Sequence, residues 1–272
     1  MDLHTVEAVI RPRTRVDLPA WRPGDAALAG GTWLFSEPQP HLARLIDLAA
    51  LGWPPHAVGA AGLELAATCT IAELERLALP AAWRAAPLVG LCCRALLGSF
   101  KVWNAATVGG NLCLALPAGP LTALAAALDG TCTLWMPDGA ERALPALDFV
   151  RGPGRNALRP GEVLRAITLP AGALRRRAAF RRLSLSSNGR SGALLIGTRD
   201  DDGAFALTVT ASTPRPVRLA FAAMPGAGAL GDAITREIGE GWYDDVHGAP
   251  DWRAHVTRLL AEEIRRELGE PR

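Results

Sequence analysis

Lysine is almost missing from this 272-residue chain: Lys101 is the only one, and arginine makes up the rest of the 29 basic residues. The net charge is only +2, which excludes the strongly basic surface of a nucleic-acid-binding protein. The most apolar stretch, residues 121–128, is far shorter than the roughly 20 residues that span a bilayer. Residues 1–4 also lack the cationic start of a secretory signal, so we expect a cytoplasmic protein with no membrane span.

Cysteine is scarce as well, and its spacing fits no metal site. The five cysteines include no C-x-x-C pair and no iron–sulfur pattern, and no two histidines stand four residues apart. No G-x-S-x-G motif or acid–base constellation is present, so we predict neither a metal site nor a catalytic residue in this chain. The odd number of cysteines and their apolar neighbours predict buried free thiols in a reducing compartment. These residues are Cys69, Cys92, Cys93, Cys113 and Cys132.

The order of local patterns predicts an α+β fold in two unequal parts. Residues 1–172 alternate short strands with helix starts, and we expect two α/β subdomains there, roughly 1–55 and 56–172. Residues 173–272 contain three alternating runs typical of an antiparallel meander, followed by an amphipathic helix. The predicted C-terminal domain is therefore an antiparallel sheet plus helices.

Helix signals mark several element boundaries. Thr70 with Glu73 three residues later predicts a capping box, and Pro120 predicts the start of the helix over 121–128. We expect Asp251 to cap the last helix. The apolar face of that helix is predicted to contain Trp252, Val256, Leu259, Leu260, Ile264 and Leu268.

Two glycine pairs stand where strands are predicted to end. They are Gly30-Gly31 within the segment 29–32 and Gly109-Gly110 within 107–111, and we interpret both as turns. Glycine lets the backbone approach a ligand closely, and successive N–H groups can then face one anion. Ordinary tight turns are the alternative interpretation for each pair.

A G-x-G-x-x-G pattern at 226–231 invites comparison with dinucleotide-binding proteins. That fingerprint requires a further parallel strand after the helix, whereas mostly helix remains in this chain. Pro225 also interrupts the passage from strand to helix. We therefore interpret 226–231 as a flexible loop.

The two glycine segments and their surroundings resemble the FAD-binding (medium) subunit of the molybdenum hydroxylase family, of the xanthine dehydrogenase and carbon monoxide dehydrogenase type. Residues 27–32 (ALAGGT) resemble the first flavin loop of that family, and residues 65–70 (LAATCT) resemble a second conserved segment. Residues 104–112 (NAATVGGNL) are similar to the most specific signature of the family. Weaker similarity continues over 161–170 and 244–253, so the resemblance covers nearly the whole chain.

The resemblance implies a set of cofactor-binding residues. The two glycine segments would hold the FAD diphosphate and ribityl chain, while Leu164 and Arg181 fall where the family makes further flavin contacts. The implied FAD site consists of Leu28, Ala29, Gly30, Gly31, Thr32, Trp33, Leu34, Thr107, Gly109, Gly110, Asn111, Leu164 and Arg181.

The resemblance also implies partners and a role. A large subunit would hold the molybdopterin cofactor and hydroxylate the substrate, and a small subunit would carry two [2Fe–2S] clusters. This oxidoreductase subunit would pass electrons from those clusters through FAD to an external acceptor, within a dimer of heterotrimers, and would not act alone on the substrate. The lack of an iron–sulfur cysteine pattern in this chain agrees with that division of labour.

Three departures from the family pattern leave an alternative open. Residues 116–120 (LPAGP) contain no carboxylate where the family has an acid that contacts the flavin nucleotide. Trp33 and Trp103 stand where polar or charged residues are frequent. The alternative is a structural or assembly subunit of the same complex with weak or lost FAD binding. The lack of an acid–base constellation argues against a third possibility, a stand-alone flavoenzyme.

Overall fold

The computed structural model describes residues 3–270, which form three main sheets with helices packed against them. The first seven strands are β1 (Ala8–Ile10), β2 (Asp25–Leu28), β3 (Arg44–Asp47), β4 (His56–Gly59), β5 (Gly62–Ala66), β6 (Thr131–Trp135) and β7 (Glu141–Pro145). The others are β8 (Val150–Gly152), β9 (Arg155–Asn156), β10 (Val163–Pro170), β11 (Arg177–Leu183), β12 (Ala193–Arg199), β13 (Phe205–Thr210) and β14 (Val217–Phe221).

The helices lie between these strands and at the C-terminal end of the described chain. They are α1 (Ile71–Glu75), α2 (Pro87–Ala95), α3 (Phe100–Trp103), α4 (Val108–Leu114), α5 (Pro120–Ala127), α6 (Ala146–Phe149), α7 (Ala171–Arg175), α8 (Ala227–Ile238) and α9 (Pro250–Gly269). Short 3₁₀ helices cover Arg15–Asp17 and Leu48–Leu51. None of the helices in the described range is both long and apolar enough to cross a membrane.

The first sheet is parallel, with strand order β1-β3-β2. Its central strand places Leu45 and Ile46 in the interior, and Arg44 donates hydrogen bonds of 2.8 and 2.6 Å to the carboxylate of Asp25 on β2. This ion pair lowers the pKa of Asp25 through the hydrogen bonds from Arg44. Because parallel strands end at one edge, the loop that leaves β2 is held at that edge, beside the second sheet.

The second sheet is antiparallel, with order β4-β5-β10-β6-β7. Helix α5 packs against α2, α4, β12 and β13, and each of its eight residues is buried. Its composition, PLTALAAA, explains this position, because a helix that is apolar on all sides gains most by complete burial. Helix α5 therefore links α2 and α4 to strands β12 and β13.

The third sheet is the antiparallel meander β11-β12-β13-β14. Helix α9 lies against β11 and β12, and α8 lies against β14. Four apolar residues of α9, Val256, Leu260, Ile264 and Leu268, are buried in the core that these helices share with the sheet. Burial of this face stabilises α9 by roughly 1.5–3 kcal/mol for each large side chain.

The predicted α+β fold is confirmed, and the capping box at the start of α1 is present as expected. Thr70 Oγ1 accepts a hydrogen bond of 3.2 Å from the Glu73 amide, and the Glu73 carboxylate accepts one of 2.8 Å from the Thr70 amide. The division at residue 172 stays a prediction. The main core cluster contains residues from both sides of it, since Leu194, Ile196 and Ala211 join the apolar residues of 63–174.

Three local predictions for the C-terminal part of the chain were wrong. Residues 227–231 are not a flexible loop but the start of α8, whose Leu230 and Ile234 are buried; this burial outweighs the low helix propensity of glycine. The N-cap of α9 is Ala249, with Pro250 at the first helical position, so Asp251 lies inside the first turn. Leu259 does not belong to the apolar face, because its side chain is 51% exposed.

A second ion-pair network connects the end of α5 to the meander. Asp129 accepts hydrogen bonds from Arg218 of β14 and from Arg176, which precedes β11 and also donates to Asp200 at 2.8 Å. Burial by itself raises the pKa of Asp129, but the hydrogen bonds from Arg218 and Arg176 outweigh it and hold that pKa below the ordinary 3.8. A group with a depressed pKa in the folded state stabilises the fold only while it stays ionised.

Asp129→Asn is therefore expected to flatten the loss of stability on acidification. In the natural chain the contribution of Asp129 is complete above its ordinary pKa of 3.8 and disappears as the pH falls below it. Urea unfolding between about pH 7 and about pH 3 measures the slope. Asp232→Asn, at an exposed position on α8, is the control and should leave the slope unchanged. An equal slope for both variants would contradict this account.

Candidate functional site

A cleft of about 830 Å³ opens where the first and second sheets meet the meander. Its walls come from the loop after β2, the segment between α2 and α3, the first turn of α4, the start of β10 and the connection between β11 and β12. A volume of this size is typical of sites for cofactors and other small molecules. The cleft is the candidate functional site.

The loop of residues 29–34 forms one wall, and its amides have no protein partners. Gly31 adopts a left-handed conformation with φ of +67°, and the Phe35 amide donates back to the Gly31 carbonyl at 2.8 Å. Among residues 3–270, no acceptor receives a hydrogen bond from the backbone N–H groups of residues 30–34. Five successive unpaired donors in a glycine turn are suited to bind an anion such as a phosphate.

Gly30 allows this loop to touch the segment before α4. A β-carbon at Gly30 would lie 1.7 Å from the carbonyl oxygen of Ala105 and 3.1 Å from the amide nitrogen of Ala106. Both contacts are with backbone, which cannot move aside as a flexible side chain can. Glycine at position 30 therefore brings together two glycine segments that are about 80 residues apart in sequence.

The second glycine segment is the start of a helix, so its interpretation as a turn was wrong. Thr107 caps α4 by accepting a hydrogen bond of 3.0 Å from the Gly110 amide. The amides of Val108 and Gly109 donate to the carbonyls of Cys69 and Ala67, both at 2.9 Å. A β-carbon at Gly109 would lie 2.4 Å from the Ala67 β-carbon, so this glycine is needed for packing against the residue that follows β5. The backbone amides of residues 108–111 are therefore already used within the protein.

Asn111 connects the cleft to α5. Its side-chain oxygen accepts hydrogen bonds from the amides of Leu121 at 3.1 Å and Thr122 at 3.4 Å, at the beginning of α5. The N-cap residue of that helix, Gly119, has no side chain to do this. Asn111 also lines the cleft, and its NH₂ group has no acceptor within residues 3–270, which leaves a donor for a bound molecule.

The cleft brings together all the residues predicted for the site except Arg181. Residues 28–34, Thr107, residues 109–111 and Leu164 line it. Arg181 lies outside the cleft, in ion pairs of 2.8 Å with Glu263 and 2.7 Å with Glu267 of α9. Side chains alternate across a strand, so Arg182 points to the opposite face from Arg181 and reaches the β11–β12 connection.

Sequence reasoning missed the contribution of the β11–β12 connection. Asn188, Arg190 and Ser191 line the cleft, and the guanidinium carbon of Arg190 lies 5.6 Å from the centre of the Trp33 ring. The local sequence indicates only a polar turn, and nothing in it reports contact with a loop more than 150 residues earlier.

The charged groups of the cleft differ in how they are paired. Glu162 is buried and accepts a hydrogen bond of 2.5 Å from Arg142. Burial opposes ionisation, but the bonds from Arg142 hold the pKa of Glu162 below its ordinary value. Glu37 is exposed at the rim. Among the described residues that line the cleft, Arg190 is the one cationic side chain.

The cysteines do not form a metal site. All five are free thiols, four of them buried, and no group of three or more His, Cys, Asp or Glu residues within 3–270 could hold a metal ion. Burial raises the pKa of Cys113, which lines the cleft, to about 12. Four of the thiols are buried as expected, whereas Cys113 is only half-buried, at the cleft.

Comparisons with known proteins agree with this architecture. No curated protein sequence matches the chain. Among solved structures, quinoline 2-oxidoreductase from Pseudomonas putida 86 superposes with a TM-score of 0.77 at 19% identity, covering 97% of this chain and 96% of that one. Carbon monoxide dehydrogenase from Hydrogenophaga pseudoflava superposes at 0.80 with 20% identity and 96% coverage of both chains. The enzyme from Oligotropha carboxidovorans gives 0.79 at 20% identity, covering 96% and 98%.

At these identities the superpositions establish the fold, and the family follows from sequence. Residues 11–172 match the model of the FAD binding domain in molybdopterin dehydrogenase. The matched segment contains both glycine segments and Leu164, and it makes up more than half of the chain. The chain therefore belongs to the family of FAD-binding domains found in molybdopterin dehydrogenases.

Proposed function

We propose that this chain binds FAD in the cleft and acts as the electron-transferring subunit of a heteromeric molybdenum hydroxylase. The observation that carries the proposal is the run of five unpaired amides at residues 30–34, which forms a wall of an 830 Å³ cleft in a member of this family. FAD, when bound, supplies the electron-transfer chemistry, and the protein contributes binding, orientation and electrostatics.

The residues of the cleft fit the chemistry of FAD. The amides of residues 30–34 match the diphosphate, which needs several donors on one side. We assign the free NH₂ group of Asn111 to a hydroxyl or phosphate oxygen of the cofactor, and Leu28, Leu34 and Leu164 to apolar contacts. Thr107, Gly109 and Gly110 would support the site by holding α4 against β5, because the amides of both glycines are used within the protein and Thr107 Oγ1 accepts the one from Gly110.

The proposed partners follow from the family. A large subunit would hold the molybdopterin cofactor, and a small subunit would carry the [2Fe–2S] clusters that deliver electrons to this chain, in a cytoplasmic dimer of heterotrimers. The carbon monoxide dehydrogenase from Hydrogenophaga has a molybdenum cofactor, and the solved structure lacks the Mo-pyranopterin moiety of that cofactor. We also propose that residues 1–172 are the FAD-binding domain and residues 173–272 an α+β domain that completes the cleft.

A structural or assembly subunit with weak FAD binding is the second candidate. The segment 116–120 has no carboxylate, and the side-chain oxygen of Asn111 is used on α5. The cleft therefore offers few acceptors for the hydroxyl groups of a nucleotide. This observation favours lower affinity without changing the family.

FAD content decides between the two candidates. We expect the purified complex, or the full chain alone, to show flavin absorption bands and to bind FAD stoichiometrically in an equilibrium titration. Bound FAD should also raise the melting temperature, because a ligand that binds only the folded state stabilises it. Absence of flavin bands and of any thermal shift after FAD addition would favour the structural subunit.

A further inference from the structure

The connection between β11 and β12 is held rigidly on both sides of Arg190. Arg182 of β11 donates to Ser191 Oγ at 2.7 Å and also to the carbonyl oxygen of Gly189. Gly192 is fixed as well, since its amide donates to Leu183 at 2.9 Å and its carbonyl accepts from Arg253 at 3.1 Å. The residues before and after Arg190 are therefore held in place, and the Arg190 side chain extends from a fixed backbone.

The guanidinium of Arg190 lies over Trp33, inside the loop whose amides are unpaired. No carboxylate among residues 3–270 forms an ion pair with Arg190, whereas Arg142, Arg176, Arg181, Arg182 and Arg253 all have polar protein partners. Stacking on an indole ring orients a guanidinium without using its N–H donors. Arg190 thus combines a fixed position, an uncompensated charge and free donors.

We propose that Arg190 binds the diphosphate of FAD opposite the amides of residues 30–34. This inference rests on the proposed function. The amides supply partial charges only, while a diphosphate is a full anion and forms its strongest hydrogen bonds with a planar guanidinium. Arg190 is the cation that the described cleft lining offers for this purpose. The bound cofactor would then join the N-terminal loop to the meander.

The cation–π contact with Trp33, already present without a ligand, contributes to affinity. A long side chain that is already ordered loses less conformational entropy when it binds. Binding by a cation also predicts a salt dependence, because added ions screen the attraction between guanidinium and diphosphate. Both consequences can be measured on the full chain.

Arg190→Gln in the full chain tests the proposal with three probes: FAD, ADP and riboflavin. We expect the Kd for FAD and for ADP to rise about 10- to 100-fold, the loss associated with a charge-assisted hydrogen bond. Riboflavin, which has no phosphate, should bind equally well to both proteins. The Kd values of Arg190→Lys for FAD and ADP should lie between those of the natural chain and of Arg190→Gln, because lysine keeps the charge but not the planar guanidinium. Salt should weaken FAD binding more in the natural chain than in the glutamine variant.

Arg236→Gln is the matched control, since Arg236 lies on α8 away from the cleft and pairs with Glu237. It should leave every Kd unchanged. The proposal is overturned if Arg190→Gln binds FAD and ADP as tightly as the natural chain, or if riboflavin binding falls in parallel. A parallel loss of riboflavin binding would mean that the Arg190 guanidinium contacts the isoalloxazine ring and not the diphosphate. Failure of the natural chain to bind FAD at all would overturn the proposed function as well.

Discussion

Replacing Gly30 with alanine is expected to weaken FAD binding by at least about 100-fold, because several charge-assisted hydrogen bonds would be misaligned together. The added methyl group would lie 1.7 Å from the carbonyl oxygen of Ala105, so the loop 29–34 must move away from the α3–α4 segment. That movement shifts the amides of residues 30–34 relative to Asn111, which lines the same cleft. The loop cannot keep both its packing and its position in the cleft.

The same substitution is expected to reduce stability by about 1–3 kcal/mol, the usual cost of overpacking. Titration with FAD measures the first effect and thermal unfolding the second, with a fall in melting temperature of about 2–4 °C for each kcal/mol. Gly228→Ala is the control, because a β-carbon at Gly228 on α8 meets no atom within 4 Å. It should retain FAD and be as stable as the natural chain or more so. Full FAD retention in Gly30→Ala would show that the loop does not hold the cofactor.

Arg253→Met is expected to lower the free energy of unfolding by about 3–5 kcal/mol, the cost of breaking a buried ion pair on one side. Arg253 is 1% exposed, although it belongs to an amphipathic surface helix. It donates to the carbonyls of Gly248 at 2.8 Å and Gly192 at 3.1 Å, and also to the Ala211 carbonyl and the Asp245 carboxylate. Burial lowers the pKa of Arg253, and the charge of Asp245 acts in the opposite direction.

Methionine has a similar length but no donors, so three carbonyls and one carboxylate would lose their partner together. Urea unfolding at neutral pH measures the loss, with Arg266→Met as the control on the exposed side of the same helix. Arg266 pairs with Glu262 at 2.7 Å and is 72% exposed, a surface arrangement worth at most about 1 kcal/mol. Equal stability of the two variants would show that Arg253 is not the structural centre we describe.

The sequence signals that correctly predicted the starts of helices are local ones. Thr70 and Glu73 are three residues apart, and the hydrogen bonds of a capping box join only these two residues. Pro120 at the first position of α5 has a similar explanation, because proline at that position loses no hydrogen bond. Such signals depend on neighbours along the chain and can be predicted from sequence.

Two of the local predictions that were wrong depend on partners distant in sequence. Residues 107–111 are rich in glycine, which favours a turn in isolation. They begin a helix because Gly109 must fit against Ala67, and because Cys69 and Ala67 accept the first amides. Residues 227–231 become helical because Leu230 and Ile234 are buried against the meander. Neither partner can be identified from the segment itself.

The amino-acid sequence by itself determined the family, the α+β class and most of the N-terminal wall of the cleft, since these depend on residues consecutive in sequence. Only the tertiary structure decided which donors are free: the amides of 30–34 are unpaired, while those of 108–111 are satisfied within the protein. It also placed Arg181 in ion pairs with α9 and brought Arg190 to Trp33. The physical reason is that a donor or a charge becomes available to a ligand only when folding leaves it without a protein partner, and those partners come from remote segments.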